Sequence, residues 1–314
     1  MSFQTATVVT RLTSNTYSVQ LSDDWCMGSV PNGGYVASVF LSVIRAHFRG
    51  TLAYLDQPDT MSAQLQYLRR TQAGPAVVSI EHLKLGSSTS AIQAVLSQGD
   101  RREVQGFFVR TNFSKQTGVS LPATFVESFM SPRPPPIDLA KVERLGEDSN
   151  WLLDRDRQHD TFHKAMHNIL LHHPRRMADP SIVDQWVRFC PGGHSRACVP
   201  FPQEALGFVV DVFPMVVDQF PQMSGQTRWY PTVALNLDVK QNLPPEGANW
   251  LFVRVKAGEI RNGRLDLQIV VLDERGDLVA LSSHVTLILS AERNLAARGT
   301  SDGQGIKVGE NGKL

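Results

Sequence analysis

The chain repeats the order of its elements, and this repeat constrains the fold more than any other feature of the sequence. Residues 93–111 align without a gap to residues 268–286, roughly 175 positions later. Both copies have the same surroundings: a strand, an apolar helix, and then about four alternating strands separated by turn signals. Because one helix packed on one antiparallel sheet buries one face of that sheet, the sequence predicts an α+β fold of two such units.

Changes in composition divide the chain into four segments. Residues 1–116 form the first unit, and residues 179–292 form the second. Residues 117–178 contain "SPRPPPIDL" and then a charged stretch with a weak helical period, which predicts a linker carrying one helix. Residues 293–314 are polar and rich in glycine, which predicts a disordered tail. We expect the edge strands of the two units to pair into a longer sheet, since pairing covers otherwise exposed edges.

The first apolar helix begins on two glycines. The apolar periodicity of "PNGGYVASVFLSVIRAHFRG" predicts a helix over 33–49, with Asn32 as its N-cap and Gly50 as its stop. Gly33 and Gly34 lie in the first turn, where each costs about 1 kcal/mol relative to alanine. Glycine lets another group approach the backbone, and a helix start has unpaired N–H donors. The two glycines therefore indicate a binding position at the helix start, a tight turn that needs positive φ, or close packing of the helix on a strand.

The charge balance and the sparse cysteines limit the partners and the location. Lysine and arginine number 31 and acidic residues 30, so the net charge of +1 gives no reason to expect nucleic acid or an anionic membrane. The sequence has no apolar run of about 18 residues and no apolar segment typical of a secretory signal. The three cysteines predict reduced thiols in a cytoplasmic protein. The final "GKL" is one residue away from the S-K-L peroxisomal signal, so a peroxisomal location is the alternative.

Two histidine-containing stretches have partial metal-ligand patterns. His159, His163 and His167 are spaced to place three imidazoles on one helical face, which could bind zinc. They lie in the linker segment with no carboxylate obviously near, so a solvated helix face is the preferred interpretation. In "CPGGHSRAC", at 190–198, His194 lies between two cysteines, but the spacing matches no usual zinc pattern. The sequence has no phosphate-binding loop and no nucleophile-elbow motif, which argues against a nucleotide-dependent enzyme and against an α/β-hydrolase. We expect neither a metal nor a redox cofactor.

Five stretches resemble, in order and spacing, those of a known family. The stretches are "PNGGYVASVF", "SIVDQWVRF", "LGFVVDVFP", "YPTVALNLDV" and "LVALSSHVTLIL". Over residues 20–116 and 179–290 the chain resembles the double-hotdog acyl-CoA thioesterases, the family of medium-chain acyl-CoA thioesterase II. The resemblance implies a tandem hotdog, in which two antiparallel sheets each wrap a central helix, the second near 203–213. It also implies hydrolysis of a small-molecule acyl thioester without a cofactor. Stacking of such pseudo-dimers is common in the family, so a homo-oligomer stays open.

The resemblance assigns roles to residues of both units. Asp211, flanked by valines in "GFVVDVFP", aligns with the aspartate that orients or activates the hydrolytic water in the family. A carboxylate among valines is paired, raised in pKa or turned to water, and a structural bond to backbone N–H groups is the alternative role. Asn32, Gly33 and Gly34 are the implied substrate-binding residues, because N–H groups at a helix start can hold the oxyanion of an attacked thioester.

The chain departs from the family at two further polar positions. Where the family has a hydroxyl on the next strand, this chain has Ala234, although a register slip of two would bring Thr232 or Asn236 there. Where the family has an amide on the last strand, this chain has His284. By alternation, one apolar face contains Val233, Leu235 and Leu237 and another contains Leu281, Val285 and Leu287. Asn236 and His284 are therefore predicted to point away from these faces, toward a polar site between the halves or toward solvent.

An Asp211–His284 pair, with Asn236 as a polar neighbour, could act as both base and acid. Acyl thioester hydrolysis is the leading hypothesis. An Asp–His pair also suits dehydration, isomerisation or cyclisation, and proteins that look like this family occur in fungal biosynthetic clusters. A non-hydrolytic enzyme acting on a polyketide-like or acyl intermediate is therefore the alternative, and a catalytically silent acyl-binding protein is a third hypothesis.

Overall fold

The computed structural model describes residues 1–121, 126–155, 161–191, 198–220 and 228–295. The helices are α1 Phe3–Ala6, α2 Gly33–Arg49, α3 Val126–Phe129, α4 Leu139–Leu145, α5 Leu206–Val209 and α6 Glu292–Leu295. The strands are β1 Val9–Arg11, β2 Thr16–Leu21, β3 Cys26–Met27, β4 Val30–Pro31, β5 Asp59–Tyr67, β6 Gly74–Lys84, β7 Ser90–Gln98, β8 Arg101–Thr111, β9 Trp151–Leu153, β10 Ile169–Pro174, β11 Ile182–Phe189, β12 Arg228–Trp229, β13 Thr232–Val239, β14 Leu251–Arg261, β15 Arg264–Leu272, β16 Leu278–Leu287 and β17 Leu289–Ser290.

Thirteen of the described strands form one sheet, in the order β1-β2-β6-β7-β8-β5-β13-β16-β15-β14-β11-β10-β9. The two halves of the chain meet where β5 pairs antiparallel with β13, from Ala234 opposite Gln66 to Asp238 opposite Ser62. The expected pairing of edge strands is therefore confirmed, and the two sheets of the tandem hotdog are continuous. Strands β7–β8 and β15–β16 occupy equivalent places in the two halves, as the repeat predicts.

Helix α2 occupies Gly33–Arg49, the range that the sequence predicted. The side chain of Asn32 caps the helix by accepting a hydrogen bond from Tyr35 N at 2.9 Å, and Gly50 ends it. Nearly every residue of α2 is buried, because the helix packs against the sheet on one side and against α5 on the other.

Two glycines allow α2 and α5 to approach each other closely. A Cβ added to Gly34 would lie 2.5 Å from the carbonyl oxygen of Gly207 and 3.0 Å from Phe208 Cα. A Cβ added to Gly207 would in turn lie 2.6 Å from Ser38 N. Any side chain at either position would push the two backbones apart. Close packing therefore accounts for Gly34, but the contact is with the second helix and not, as was expected, with a strand.

The second central helix is shorter than the predicted range of 203–213. A 3-10 turn at Gln203–Ala205 leads into α5, which ends at Val209, and Asp211 follows in a turn in which its N–H donates to Phe208 O at 3.0 Å. The apolar pattern continues beyond this point, but Pro214 cannot donate the next helical hydrogen bond. Asp211 therefore lies just past the helix and not on it.

The second half of the sheet is covered on both faces. Apart from the main core, a smaller apolar cluster lies on its outer side and contains Met130, Val142, Trp151, Trp250, Phe252, Val270 and Leu272, with Leu281 packed against it. Val142 belongs to α4 and Trp151 to β9, so both come from the segment 117–178 that the sequence assigns to a linker. This segment supplies a cover for the sheet, the edge strand β9 and its neighbour β10. The domain boundaries themselves stay a prediction.

Two cysteines form a disulfide, which corrects the prediction of reduced thiols. Cys190 is bonded to Cys198, while Cys26 is free and buried. Phe189, at the end of β11, pairs with Val199 in an isolated antiparallel bridge, and this pairing brings the two adjacent cysteines together. Sequence separation alone does not reveal such a pairing.

The histidines that were considered as zinc ligands do not share one helix. His163 precedes a 3-10 helix at Lys164–Asn168 that contains His167, while His159 and His194 lie outside the described residues. Among the residues that the structure describes, no three His, Cys, Asp or Glu side chains are grouped as a metal site. Within the same residues, no helix is long and apolar enough to cross a bilayer. Most of the predicted tail, including the final "GKL", also falls outside the described ranges.

We predict that Gly34→Ala destabilises the protein although alanine favours helices. Alanine in place of glycine normally gains about 1 kcal/mol in a helix. At Gly34 the added methyl would collide with Gly207 O, and overpacking of this kind costs about 1–3 kcal/mol. Urea unfolding should show a loss for Gly34→Ala and Gly207→Ala, while Arg49→Ala, exposed on the same helix, should stay within about 0.5 kcal/mol of wild type. A Gly34→Ala protein as stable as wild type would contradict the close helix contact.

Candidate active site

Asp211 lies at the junction of the two halves, with its carboxylate against the start of α2. Its Oδ2 accepts a hydrogen bond from Gly34 N–H at 2.7 Å and one from Asn32 Nδ2 at 3.2 Å. Its Oδ1 accepts one from Thr232 Oγ1 at 3.1 Å. Asn32 and Gly34 were predicted to bind the substrate, but their donors hold the carboxylate. The prediction that Gly34 N–H is open to a thioester oxygen is therefore wrong for this arrangement.

A bulge in β13 brings Thr232 to the carboxylate. In the pairing of β13 with β16, Thr232 lies opposite Thr286, but Ala234 lies opposite the next residue, Val285. Val233 is therefore extra on its strand, and such a bulge re-aims the side chains around it. The hydroxyl that is missing at Ala234 is thus supplied by Thr232, two positions earlier in the chain. This agrees with the register slip of two residues that the sequence analysis considered.

His284 points into the interior beside Asp211. Its Nδ1 lies 3.4 Å from Asp211 Oδ1, and the two side chains are 0% and 6% exposed, so the contact is shielded from water. On the other side of the ring, Nε2 lies 3.1 Å from Ser282 Oγ. The ring of Phe213 packs nearby with centroids 6.3 Å apart. The structure therefore brings together Asp211 and His284, which the sequence grouped across 73 positions.

Asn236 lies on the other face of the sheet, which corrects its assignment to this site. Its amide donates to Ser283 Oγ at 3.2 Å, and its side chain is exposed. Neighbouring residues of a strand point to opposite faces, and Leu235, not Asn236, is the residue opposite His284. The prediction grouped Leu281 and Val285 as an apolar face of β16, opposite to His284. Leu281 in fact packs against the outer apolar cluster, so its apolar character misled the assignment.

Burial sets the protonation of the two groups. Burial raises the pKa of Asp211 to about 6, against the opposing hydrogen bonds from Gly34, Thr232 and Asn32. Burial lowers the pKa of His284 to about 3, so the imidazole is neutral at physiological pH. Burial also raises the pKa of Tyr67, and the nearby Asp211 carboxylate adds to that rise. The site therefore favours neutral forms and gives Asp211 a pKa within reach of the ordinary pH range.

A cavity of about 390 Å³ leads to this carboxylate. Its lining is largely apolar and aromatic, and it includes Gly33, Tyr67, Asp211, Phe213, Trp229 and Tyr230. Within the described residues Gly33 N–H, half-buried at the start of α2, has no hydrogen-bond partner, whereas the carbonyl of Gly33 accepts a 2.6 Å bond from Tyr67 Oη. Tyr67 was missed by the sequence analysis. The alternation of β5 was its signal, because Tyr67 has the same inward parity as Ala63 and Leu65.

The structure is thus a tandem hotdog in which an acid of the second unit is hydrogen-bonded to the helix start of the first. Residues 21–111 match the model of the acyl-CoA thioesterase N-terminal domain, and residues 140–288 match the model of the C-terminal domain. The chain belongs to the acyl-CoA thioesterase family and is a thioesterase-type hydrolase.

Similar proteins support this membership. The chain is 32% identical over 341 aligned positions to the thioesterase-like protein TwmA of Talaromyces wortmannii, and the match covers 95% of each. It resembles the structure of acyl-CoA thioesterase II TesB2 from Mycobacterium marinum with a TM-score of 0.60 and 17% identity, over 92% of this chain and 98% of that one. It also resembles the dehydratase domain of RzxB from Pseudomonas fluorescens with a TM-score of 0.50 and 10% identity, over 86% and 93%. At such identities the two structures show the fold alone.

We predict that Asp211→Asn stabilises the protein at alkaline pH. Because the pKa of Asp211 is about 6 in the folded protein and ordinarily 3.8, the native state binds the proton more tightly than the unfolded chain does, and stability falls as pH rises from about 4 to 6. Above pH 6 the wild type bears the full free-energy cost of burying the ionised carboxylate, at most about 3 kcal/mol. Asparagine carries no charge and avoids this cost. The difference in unfolding free energy should be largest at pH 8 and vanish near pH 4. A difference that is constant with pH would contradict the raised pKa.

Proposed function

We propose that this protein hydrolyses a small-molecule acyl thioester, most simply an acyl-CoA, with Asp211 as the group that orients and deprotonates the water. The observation that carries the proposal is the carboxylate itself: it is fixed by donors from both halves and borders the cavity. Membership of the acyl-CoA thioesterase family supports the same reaction.

In the proposed reaction, the carboxylate of Asp211 acts on the water and Gly33 N–H acts on the thioester oxygen. Asp211 accepts a proton from water as the oxygen attacks the thioester carbonyl, which requires the carboxylate form and thus a pH near or above its pKa of about 6. Gly33 N–H, together with the positive end of the α2 dipole, stabilises the developing oxyanion. Collapse of the tetrahedral intermediate breaks the C–S bond, and the thiolate leaves with the proton that Asp211 had accepted. The products are a carboxylic acid and a free thiol.

A second candidate function follows from one contact. His284 Nδ1 lies 3.4 Å from Asp211 Oδ1, so this site contains an acid–base pair where the resembled family has an amide. An amide can hold a water but cannot carry a proton to or from a substrate. The imidazole therefore favours, as the second candidate, a non-hydrolytic reaction of an acyl intermediate, such as dehydration or isomerisation, that needs proton transfer at carbon.

We predict that the purified protein releases free thiol from acyl-CoA substrates. A panel of acyl-CoAs of different chain lengths, followed with a thiol reagent, should show release above background for at least one member. Asp211→Asn, which keeps the shape but removes the base, should lose about 10²–10⁴ in rate. Asn236→Ala, on the outer face of the sheet, is the matched control and should keep the wild-type rate. Thiol release absent across the panel would remove the hydrolase proposal, and mass analysis of the recovered acyl groups would then separate conversion from silent binding.

We predict that His284→Gln separates the two candidate reactions. Glutamine supplies the amide that the resembled family carries at this position, so a hydrolase should retain its rate within about threefold or gain. A proton-transferring enzyme needs the imidazole and should lose about 10²-fold or more. The measurement is the rate of thiol release beside the rate of acyl conversion by mass spectrometry. Loss of thiol release in a folded His284→Gln protein would contradict a purely water-holding role for this position.

A further inference from the structure

We propose that Ser282 is a positioning residue: it holds His284 with a proton on Nε2 and directs the Nδ1 lone pair at Asp211, so that Asp211 and His284 share one proton. The inference rests on the proposed function, in which Asp211 is the base, and on the contact between Asp211 and His284. It adds a third residue and a defined protonation state to that site.

The hydrogen bonds of Ser282 fix the tautomer of His284. Ser282 Oγ lies 2.6 Å from the backbone oxygen of Asn236 and 3.1 Å from His284 Nε2. A carbonyl oxygen can only accept, so the single hydroxyl proton of Ser282 goes to Asn236 O. The serine oxygen is then an acceptor for the imidazole. His284 Nε2 must therefore carry a hydrogen, and the neutral ring has its lone pair on Nδ1.

The lone pair on Nδ1 faces a second acceptor. Within the part of the chain that the structure describes, Nδ1 is buried and has no hydrogen-bond partner, and Asp211 Oδ1 lies 3.4 Å from it. Two acceptors buried side by side repel each other unless a proton lies between them. One proton on either Oδ1 or Nδ1 would convert this contact into a hydrogen bond. Burial raises the pKa of Asp211 and lowers that of His284, which favours the carboxyl oxygen as the proton's position.

Few other ionisable groups surround this pair. Of the elements packed against His284, the turn after α5 presents Asp211, and β5 presents Tyr67 beside it. The residues directly opposite His284 on the neighbouring strands are Leu235 and Leu267, which carry no charge. The protonation of the pair therefore depends mainly on its own two members and on the tautomer that Ser282 selects.

Removing the hydroxyl of Ser282 should release the ring to adopt the other tautomer. With its proton on Nδ1, His284 would donate directly to Asp211 and stabilise the carboxylate, which lowers the pKa of the acid. Ser283 offers a matched control, because it is the next residue of β16 and its hydroxyl lies on the outer face against Asn236 Nδ2. Ser282→Thr keeps the hydroxyl and should behave as wild type.

The decisive experiment is nitrogen NMR of the full chain with ¹⁵N-labelled histidine. The signals of His284 are assigned by their loss in His284→Gln. In wild type and in Ser283→Ala, Nε2 should be the protonated nitrogen, while Ser282→Ala should move the proton to Nδ1. An unprotonated Nε2 in wild type, or an unchanged tautomer in Ser282→Ala, would overturn the proposal. This readout needs no turnover, so it separates failure of the proposal from failure of the proposed hydrolysis.

The rate of hydrolysis gives a second readout. If Asp211 acts as a carboxylate, the rate rises with pH through the pKa of the pair, which gives the pH–rate profile an acid limb. Ser282→Ala should move this acid limb to lower pH by about one unit. Ser283→Ala and Ser282→Thr should leave the limb in place. A Ser282→Ala protein that changes only in KM, or that has the wild-type pH profile, would show that Ser282 does not position the imidazole.

Discussion

The hydrogen bond from Gly34 N–H to Asp211 Oδ2, 2.7 Å long, is the interaction on which the site depends. Its donor belongs to the first hotdog unit and its acceptor to the second, so neither half contains the site alone. The bond exists because α2 and α5 approach each other at Gly34 and Gly207, where neither helix has a side chain. The glycine that permits the packing thus also supplies a donor for the chemistry. Loss of this contact would separate the acid from the helix start that positions it.

The continuous sheet completes the arrangement. Strands β5 and β13 are neighbours at the seam between the halves, and they supply Tyr67 and Thr232 to the same site. Tyr67 binds the carbonyl of Gly33, while Thr232 binds the carboxylate directly. Because both residues lie on strands fixed by pairing on two sides, the site stands on rigid elements. Such a scaffold can hold a side chain whose charged form is disfavoured by burial. Asp211 is such a side chain, because burial raises its pKa to about 6.

Much of this arrangement could be predicted from the sequence because it depends on local pattern. The period of α2 and its cap at Asn32 defined the helix from its first residue to its last. The repeat placed equivalent strands in both halves and predicted that their edges pair. Asp211 stood out as a carboxylate among valines, and His284 as a departure from the family it resembles. The features that the sequence predicted wrongly depend on distant residues: the end of α5, the disulfide of Cys190, and the face to which Asn236 points.

The sequence by itself determined the two units, the buried helix and the identity of the acid, because periodicity and composition act over neighbouring residues. Only the tertiary structure decided which polar groups meet. An outer apolar cluster made Leu281 look like a core residue and so hid the inward direction of His284. A bulge brought Thr232 to the acid in place of Ala234. The direction of a side chain on a strand changes with a shift of one residue, and that shift is set by pairing with strands far away in the chain.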